Sequence, residues 1–247
     1  MQTAIPSVQL YSVRHEIQKN LAGTLAKLAK IGFTQVELFD FVARATEYKR
    51  SLSENSLAIS SAHAIMMGQD LEPIFDAAAD LGISSLIDPY LSVENWQTRA
   101  QIEHTAGQLS EIAEKAKAYG IKIGYHNHDW ELATKVEGKT ALEVFGSILP
   151  ANIFLEVDLY WVEVGHASAF EILTKLGDRV QFLHIKDGAK SGETKEQVPA
   201  GQGEIALAAG IKAAPHAVPI AEFDEYQGDI YDGLAQSLAF IKRIQSE

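Results

Sequence analysis

The chain has 247 residues, 47% of them hydrophobic, and 21 Lys and Arg against 33 Asp and Glu give a formal net charge of -12. This length and apolar content suit one α/β domain over residues 1–247. Because an acidic surface repels phosphate backbones and anionic membranes, we expect neither nucleic acid nor a membrane as a partner. The chain has no cysteine, which excludes disulfides, thiolate metal ligands and a cysteine nucleophile.

The amino terminus, Met1 to Pro6, has neither the basic segment nor the apolar core of a signal peptide. No apolar stretch of the sequence is long enough to predict a membrane span. The lack of cysteine agrees with a reducing compartment. We therefore expect a cytoplasmic protein.

Helical stretches end at a glycine, and a β-branched or aromatic run begins within a few residues, at Gly32, Gly82, Gly120 and Gly177. Glycine accepts the left-handed conformation that ends many helices, so each junction predicts a loop from a helix to a strand. Taken in chain order, the predicted strands are 7–11, 35–39, 58–62, 83–87, 121–125, 153–157, 180–185 and 218–223.

The segments between these strands have helical periodicity, as in Leu21, Leu25 and Leu28. Strands that alternate with helices predict a single (β/α)8 TIM barrel. A doubly wound open sheet is the alternative, but it would have a glycine-rich first strand-to-helix turn, and residues 11–15 lack glycine. Residues 187–197 are polar and glycine-bearing, and predict a long loop over the barrel mouth before a short helix near 204–214.

Polar side chains follow the strands at their carboxyl ends, which converge on one face of a barrel. Because side chains alternate along a strand, His184 and Lys186 share a face, as do Glu156 and Asp158. Histidine and carboxylate ligands suit Mn2+, Co2+, Mg2+ or Zn2+. The candidate metal ligands lie at the carboxyl ends of the fifth to eighth strands: His126, Asp158, His184 and Glu222.

Other side chains at the same ends are candidates for binding a carbohydrate, because aromatic rings suit the apolar face of a sugar. The candidate substrate-binding residues are Gln9, Tyr11, Glu37, His63, His128, Glu131, Trp161 and Lys186. Structural roles are the alternative for several of them. Glu37 and Glu156 are equally compatible with bonding to neighbouring strands, Tyr11 with packing, and Lys186 with an ion pair to Asp187 or Glu222.

At these strand ends the sequence resembles the xylose-isomerase-like TIM-barrel superfamily, in particular its sugar phosphate isomerase/epimerase branch. The likeness covers nearly the whole chain, in Val8 to Arg14, Tyr125 to Glu131, Asp158 to Trp161, His184 to Asp187 and Glu222 to Asp224. The resemblance implies one divalent cation held by Glu, Asp, His and Glu from the last four strands. By position, Asp158, His184 and Glu222 match all but the first of these ligands.

The fifth strand departs from the family pattern, because His126-Asn127-His128 stands where many relatives have Glu-Asn-His. Either His126 replaces the glutamate as a ligand, or it acts as a base while Glu131 supplies a carboxylate. The His-Asn-His pattern is also similar to that of inosose dehydratases and of barrel subunits that eliminate the aglycone from 3-keto-glycosides. The superfamily includes apurinic endonucleases, but the acidic chain argues against a basic DNA groove.

The resemblance implies proton transfer on a keto-sugar or polyol through a metal-stabilised enediolate, with His126, Glu222 and Lys186 as candidate catalytic residues. Return of the proton gives isomerisation or epimerisation, whereas loss of a β-substituent gives dehydration or elimination. A non-catalytic sugar-binding barrel is a further hypothesis. We expect one divalent cation, a small carbohydrate substrate and, without a glycine-rich phosphate cradle, no nucleotide cofactor. The sequence leaves open whether the chain forms a homo-oligomer.

Overall fold

A ring of eight parallel strands forms the centre of the computed structural model, which describes residues 4–247. The strands β1 to β8 are Ser7–Val8, Gln35–Leu38, Ala58–His63, Ser85–Asp88, Lys122–His126, Phe154–Asp158, Val180–Ile185 and Val218–Ala221. From β2 to β8 each strand pairs with the next, and β8 pairs with β1. A parallel bridge between Gln9 and Glu37 joins β1 to β2 and closes the ring. The predicted (β/α)8 TIM barrel is confirmed.

Helices cover the outside of the barrel. The helices α1 to α10 are Arg14–Ile31, Ala45–Glu54, Glu72–Leu81, Arg99–Ala116, Trp130–Ala133, Ala141–Ile148, Leu159–Val164, Ala169–Leu176, Leu207–Ala213 and Ile230–Ser246. Leu21, Leu25 and Leu28, predicted on one face of α1, are all buried. Each such side chain contributes roughly 1.5–3 kcal/mol by leaving water. Within residues 4–247, no helix is both long and apolar enough to cross a membrane.

Some boundaries differ from those predicted. β1 ends at Val8 rather than at residue 11, because the Gln9 side chain accepts a hydrogen bond from the Tyr11 amide and the chain turns into a 3-10 helix. Gly177 has φ 54° and ψ -136°, outside the left-handed helical region that the other predicted glycine caps adopt. The amino-terminal stretch without signal-peptide composition includes residues 1–3, which lie outside the described part of the chain.

The inside of the barrel has an apolar floor with polar residues above it. The floor is a separate cluster of buried side chains: Ile87, Phe154, Phe182 and Ile220. Two residues further along their strands, on the same face, come Glu156, His184 and Glu222. Strand pairing sets His126 beside Glu156, and Asp158 beside His184. The register therefore brings the predicted polar residues together at the carboxyl ends.

The predicted long loop after β7 covers residues 187–206, and a two-residue antiparallel pairing within it joins Asp187–Gly188 to Gln197–Val198. Asp187 anchors this loop. Its carboxylate accepts hydrogen bonds of 2.7–3.1 Å from the amides of Gly188, Gly201, Gly203 and Ile205. A similar pairing joins Lys135–Val136 to Lys139–Thr140 before α6.

Close packing between β5 and β6 depends on Gly124, where an added Cβ would overlap the ring of Phe154. Gly124→Ala should therefore lower the free energy of unfolding by about 1–3 kcal/mol, the usual cost of overpacking. Gly107 is the matched control, because it is exposed in α4 with open space around it. Gly107→Ala should raise stability by about 1 kcal/mol. Urea unfolding measures both, and equal midpoints would contradict the close packing.

The loop anchor can be tested through local opening. Asp187→Ala leaves backbone amides without an acceptor, at a cost of about 1–3 kcal/mol for each that stays buried. We expect proteolysis within residues 187–206 to become at least about tenfold faster while global unfolding changes little. Glu193→Ala, an exposed change in the same loop, should leave the rate unchanged. Limited proteolysis with mass spectrometry checks both, and similar rates for the two variants would refute the anchoring role.

Candidate active site

The carboxyl ends of the strands open into a cavity of about 510 Å³, a volume typical of small-molecule sites. Its two sides differ in character. The polar side includes His63, His126, His128, Lys186, Glu222 and Asp224, and a further carboxylate, Asp40, lies on the opposite side. The apolar and aromatic lining includes Tyr11, Phe39, Phe41, Val42, Ile65 and Tyr90. The residues of the apolar side follow β1 to β4. The sequence analysis named only Tyr11 among them. Apolar residues in the predicted strand-to-helix loops were the signal that could have identified the others.

Asp158, His184 and Glu222 form a buried trio whose ligand atoms lie within 4.8 Å of one another. Asp158 Oδ2, His184 Nδ1 and Glu222 Oε2 make no hydrogen bond of good geometry, although His184 Nδ1 lies in ion-pair contact with Glu222 Oε2 at 2.6 Å. Asp158 Oδ1, by contrast, caps α7 by accepting from the Trp161 amide at 3.1 Å, which turns Oδ2 towards the other two atoms. Two carboxylate oxygens and one imidazole nitrogen that converge in this way are a ligand set that a divalent cation can bind. The trio therefore fits a divalent cation, as predicted for three of its four ligands.

Lys186 lies beside the trio, buried, with its Nζ in ion-pair contact at 3.0 Å from Asp158 Oδ2 and 2.8 Å from Glu222 Oε2. Its hydrogen bonds go to both oxygens of Asp224. Burial opposes the charge on Lys186, but the surrounding carboxylates outweigh burial and hold its pKa well above the usual value. Of the two ion-pair partners suggested for Lys186, Glu222 is the one it contacts, whereas Asp187 faces the loop.

Glu37 lies below the cavity and orients His184. Its Oε1 lies 2.7 Å from His184 Nε2 and also accepts a hydrogen bond of 2.8 Å from Gln9 Nε2. A carboxylate on one ring nitrogen fixes a metal-binding imidazole and leaves the other nitrogen for the ion. Gln9 and Glu37 are fully buried and do not line the cavity, so the structure places both away from the substrate-binding wall predicted for them.

Glu156 connects the three histidines at the bottom of the site. Its Oε2 lies 2.6 Å from His63 Nε2, 3.0 Å from His126 Nδ1 and 3.2 Å from His184 Nε2. Burial opposes the charge on Glu156, but His184 and His63 outweigh it and hold its pKa well below the usual range. The alternative that this carboxylate bonds to neighbouring strands agrees with its contacts.

His126 reaches the cavity with one nitrogen only. Its Nδ1 faces Glu156, and its Nε2 lies 3.8 Å from Asp158 Oδ2. Burial lowers the pKa of His126 to about 3, so the ring is neutral at pH 7. This differs from the unperturbed value of about 6.5 for free imidazole. A neutral ring with a proton on Nδ1 presents an unprotonated Nε2 to the cavity, as a ligand or a proton acceptor requires.

The other residues near the carboxyl end of β5 do not lie close to the trio. Glu131 accepts hydrogen bonds from the Tyr125 hydroxyl at 2.7 Å and the His128 amide at 3.0 Å, which ties one oxygen to β5 and the other to the loop after it. His128 lines the cavity and stacks on Trp130 with ring centroids 4.6 Å apart. Trp161 packs beside it, with a ring centroid 5.8 Å from Lys186 Nζ. The structure thus does not bring Glu131 to the trio.

Gln197, in the loop after β7, fixes Asp224. Its amide donates to Asp224 Oδ2 at 2.8 Å, and its oxygen accepts from the Asp224 backbone amide at 2.8 Å. Asp224 in turn holds Lys186. The sequence analysis did not single out Gln197, because no periodicity connects a loop residue to a strand end that is distant in the chain.

Comparisons with known proteins agree with this architecture. Residues 25–216 match the family model described as xylose isomerase-like TIM barrel. The chain is similar to a sugar phosphate isomerase/epimerase from Parabacteroides distasonis, with 21% identity and a TM-score of 0.79 over 97% of this chain and 94% of that chain. It is also similar to the IOLI protein with a binding zinc atom, with 15% identity and a TM-score of 0.76 over 98% of each chain.

A curated relative provides a further likeness. A 100-residue segment is 29% identical to an inosose dehydratase from Bacillus licheniformis, and the match spans 40% of this chain and 30% of the dehydratase. The structural likenesses, at their low identities, establish the fold and not the reaction. The family resemblance predicted from the strand ends is confirmed.

Metal binding by the trio can be measured with Mn2+, which suits a site rich in carboxylate oxygen. Asp158→Asn should weaken Mn2+ binding by at least about 100-fold, because even residues that only support a ligand contribute ~10–100-fold. Asparagine still caps a helix, so α7 should remain folded. Glu225→Gln removes an exposed carboxylate just beyond β8 and serves as the control. Electron paramagnetic resonance of free Mn2+ measures both affinities, and equal values would reject this metal site.

Proposed function

The chain belongs to the xylose isomerase-like TIM-barrel family, and we propose that it catalyses divalent-metal-dependent proton transfer on a keto-sugar or polyol. The reaction class is isomerisation or epimerisation through an enediolate. The observation that carries the proposal is the trio of Asp158, His184 and Glu222, whose buried ligand atoms lie within 4.8 Å of one another beside a neutral imidazole. The adjoining cavity of about 510 Å³ is large enough for a sugar.

The trio is the place where a cation and a carbonyl substrate would meet. A cation held by Asp158, His184 and Glu222 supplies Lewis acidity, which lowers the pKa of the carbon acid beside the carbonyl and stabilises the charge of the enediolate. Asp158, Glu222 and Asp224 face the single ammonium of Lys186 here. This surplus of negative charge favours a divalent ion over a substrate carboxylate.

His126 is the proton acceptor in this scheme. Its Nε2 takes the proton from the α-carbon, and its Nδ1 donates to Glu156 Oε2 at 3.0 Å, which stabilises the resulting imidazolium. Glu222 is the other candidate base. Burial opposes the charge on Glu222, but Lys186 and His184 outweigh burial and hold its pKa well below the usual range. Glu222 Oε2 also lies 2.8 Å from Lys186 Nζ and among the ligand atoms of the trio, a position that suits ligation of a cation better than proton abstraction.

Lys186 is the electrophilic partner. Its ammonium is held by both oxygens of Asp224 and lines the cavity, so it can donate to a substrate oxygen as negative charge develops there. Return of the proton to the neighbouring carbon gives isomerisation, and return to the opposite face gives epimerisation.

Dehydration or elimination is a second candidate, supported by the local likeness to an inosose dehydratase. Elimination requires one group to remove the α-proton and another to protonate the departing β-oxygen. His126 and His63 both line the cavity, from β5 and β3. Two imidazoles on separate strands can therefore serve the two ends of a β-hydroxy ketone.

The test is exchange of the α-proton. In heavy water, the metal-loaded protein should replace the α-proton of at least one ketose, inosose or 3-keto-glycoside with deuterium, as measured by the loss of its proton NMR signal. His126→Gln should slow this exchange by about 100-fold or more, the usual contribution of a general base. His104→Gln, an exposed change in α4, is the control and should leave the rate unaltered.

The same NMR experiment identifies the product and so distinguishes the two candidate reactions. A new stereocentre or carbonyl position indicates isomerisation or epimerisation, whereas release of water or an alcohol indicates elimination. If sugars bind but none exchanges, the non-catalytic sugar-binding barrel is correct and the enolisation proposal is wrong.

A further inference from the structure

A second group of metal-ligating atoms lies beneath the trio. His63 Nε2, His126 Nδ1 and His184 Nε2 converge on Oε2 of Glu156, at 2.6, 3.0 and 3.2 Å. These four ligand atoms lie within 4.8 Å of one another. The trio uses only one of these residues, His184, and uses its other ring nitrogen. We call this set the lower cluster.

Hydrogen bonding alone leaves the lower cluster incompletely satisfied. All three nitrogens face the same carboxylate oxygen, while Oε1 of Glu156 is buried without any partner. In native interiors such groups are almost always paired. Glu37 adds a second carboxylate, with Oε1 3.3 Å from His63 Nε2 and 2.7 Å from His184 Nε2. Two carboxylates around three imidazoles balance the charge of one divalent cation.

The donor set also indicates which cation. Three imidazoles with one carboxylate suit Zn2+ or Co2+, whereas the trio, with two carboxylates and one imidazole, suits Mn2+ or Mg2+. A cation can reach the lower cluster from the cavity at His63, since this side chain is 11% exposed and lines the cavity wall. A ligand set with an entry path and a supporting carboxylate meets the requirements for a metal site.

We infer that the lower cluster of His63, His126, Glu156 and His184 is a second divalent-cation site that selects Zn2+ or Co2+. His184 gives a different nitrogen to each site, so filling both removes both ring protons. The lower ion should therefore bind more weakly when the trio is filled. The inference concerns binding only and does not depend on the proposed reaction.

The experiment isolates the lower cluster by disabling the trio. Asp158→Asn/Glu222→Gln removes both carboxylates of the trio and none of the lower cluster. After equilibration with Zn2+ and removal of free metal, this variant should retain one equivalent by mass spectrometric metal analysis. X-ray absorption at the zinc edge should show three imidazole ligands. Adding His63→Gln, at the edge of the cluster, should lower Zn2+ affinity by at least about 100-fold.

The matched control adds His104→Gln, which removes an exposed histidine from α4 and should leave zinc bound. Thermal unfolding of the metal-free proteins checks that the variants fold. Zinc absent from the trio-disabled variant, zinc with a single imidazole, or zinc unaffected by His63→Gln would overturn the inference. If the trio-disabled variant binds as much zinc as the unaltered protein, and His63→Gln then removes it, the lower cluster is supported as the cation site and the trio is not.

Discussion

The polar interior of the barrel depends on one imidazole, because both nitrogens of His184 are in contact with carboxylates on opposite sides. Nε2 lies 2.7 Å from Glu37 on β2, and Nδ1 lies 2.6 Å from Glu222 after β8. The two nitrogens of a ring point in fixed directions, so setting one sets the other. Gln9, which bridges β1 to β2, also donates to Glu37. Glu37 therefore takes part both in the bridge that closes the barrel and in the contact that orients His184.

Buried charges are stable here only as a connected set. Lys186 is 2% exposed and contacts Asp158, Glu222 and Asp224. Removing one partner of a buried pair leaves the other uncompensated, at a cost of about 3–5 kcal/mol. Gln197 extends the set into the loop after β7, by holding Asp224. The loop after β7 is thus bonded to Asp224, one of the charged residues that line the cavity.

Much of the fold and part of the site followed from the sequence. Glycines at helix ends followed by β-branched runs predicted the strands, and the convergence of the strands' carboxyl ends predicted that Asp158 and His184 would meet. Alternation gives the face of a residue but not its height in the barrel. Glu37 and Gln9 look like mouth residues for this reason, yet they lie fully buried beneath it. Glu131 similarly faces β5 rather than the trio, because the Tyr125 hydroxyl donates to it.

At the carboxyl end of β5, His126 differs from the glutamate of many relatives, because either of its two ring nitrogens can be the donor while the other is the acceptor. With Glu156 accepting from Nδ1 at 3.0 Å, the lone pair is on Nε2 and faces the cavity, so the ring can accept a proton there. A cation bound to Nδ1 would require the lone pair to be on Nδ1 and the proton on Nε2, which makes the same ring a hydrogen-bond donor to the cavity. The carboxylate of a glutamate has no such choice. The height of the cation in the barrel therefore decides the direction in which His126 can pass a proton.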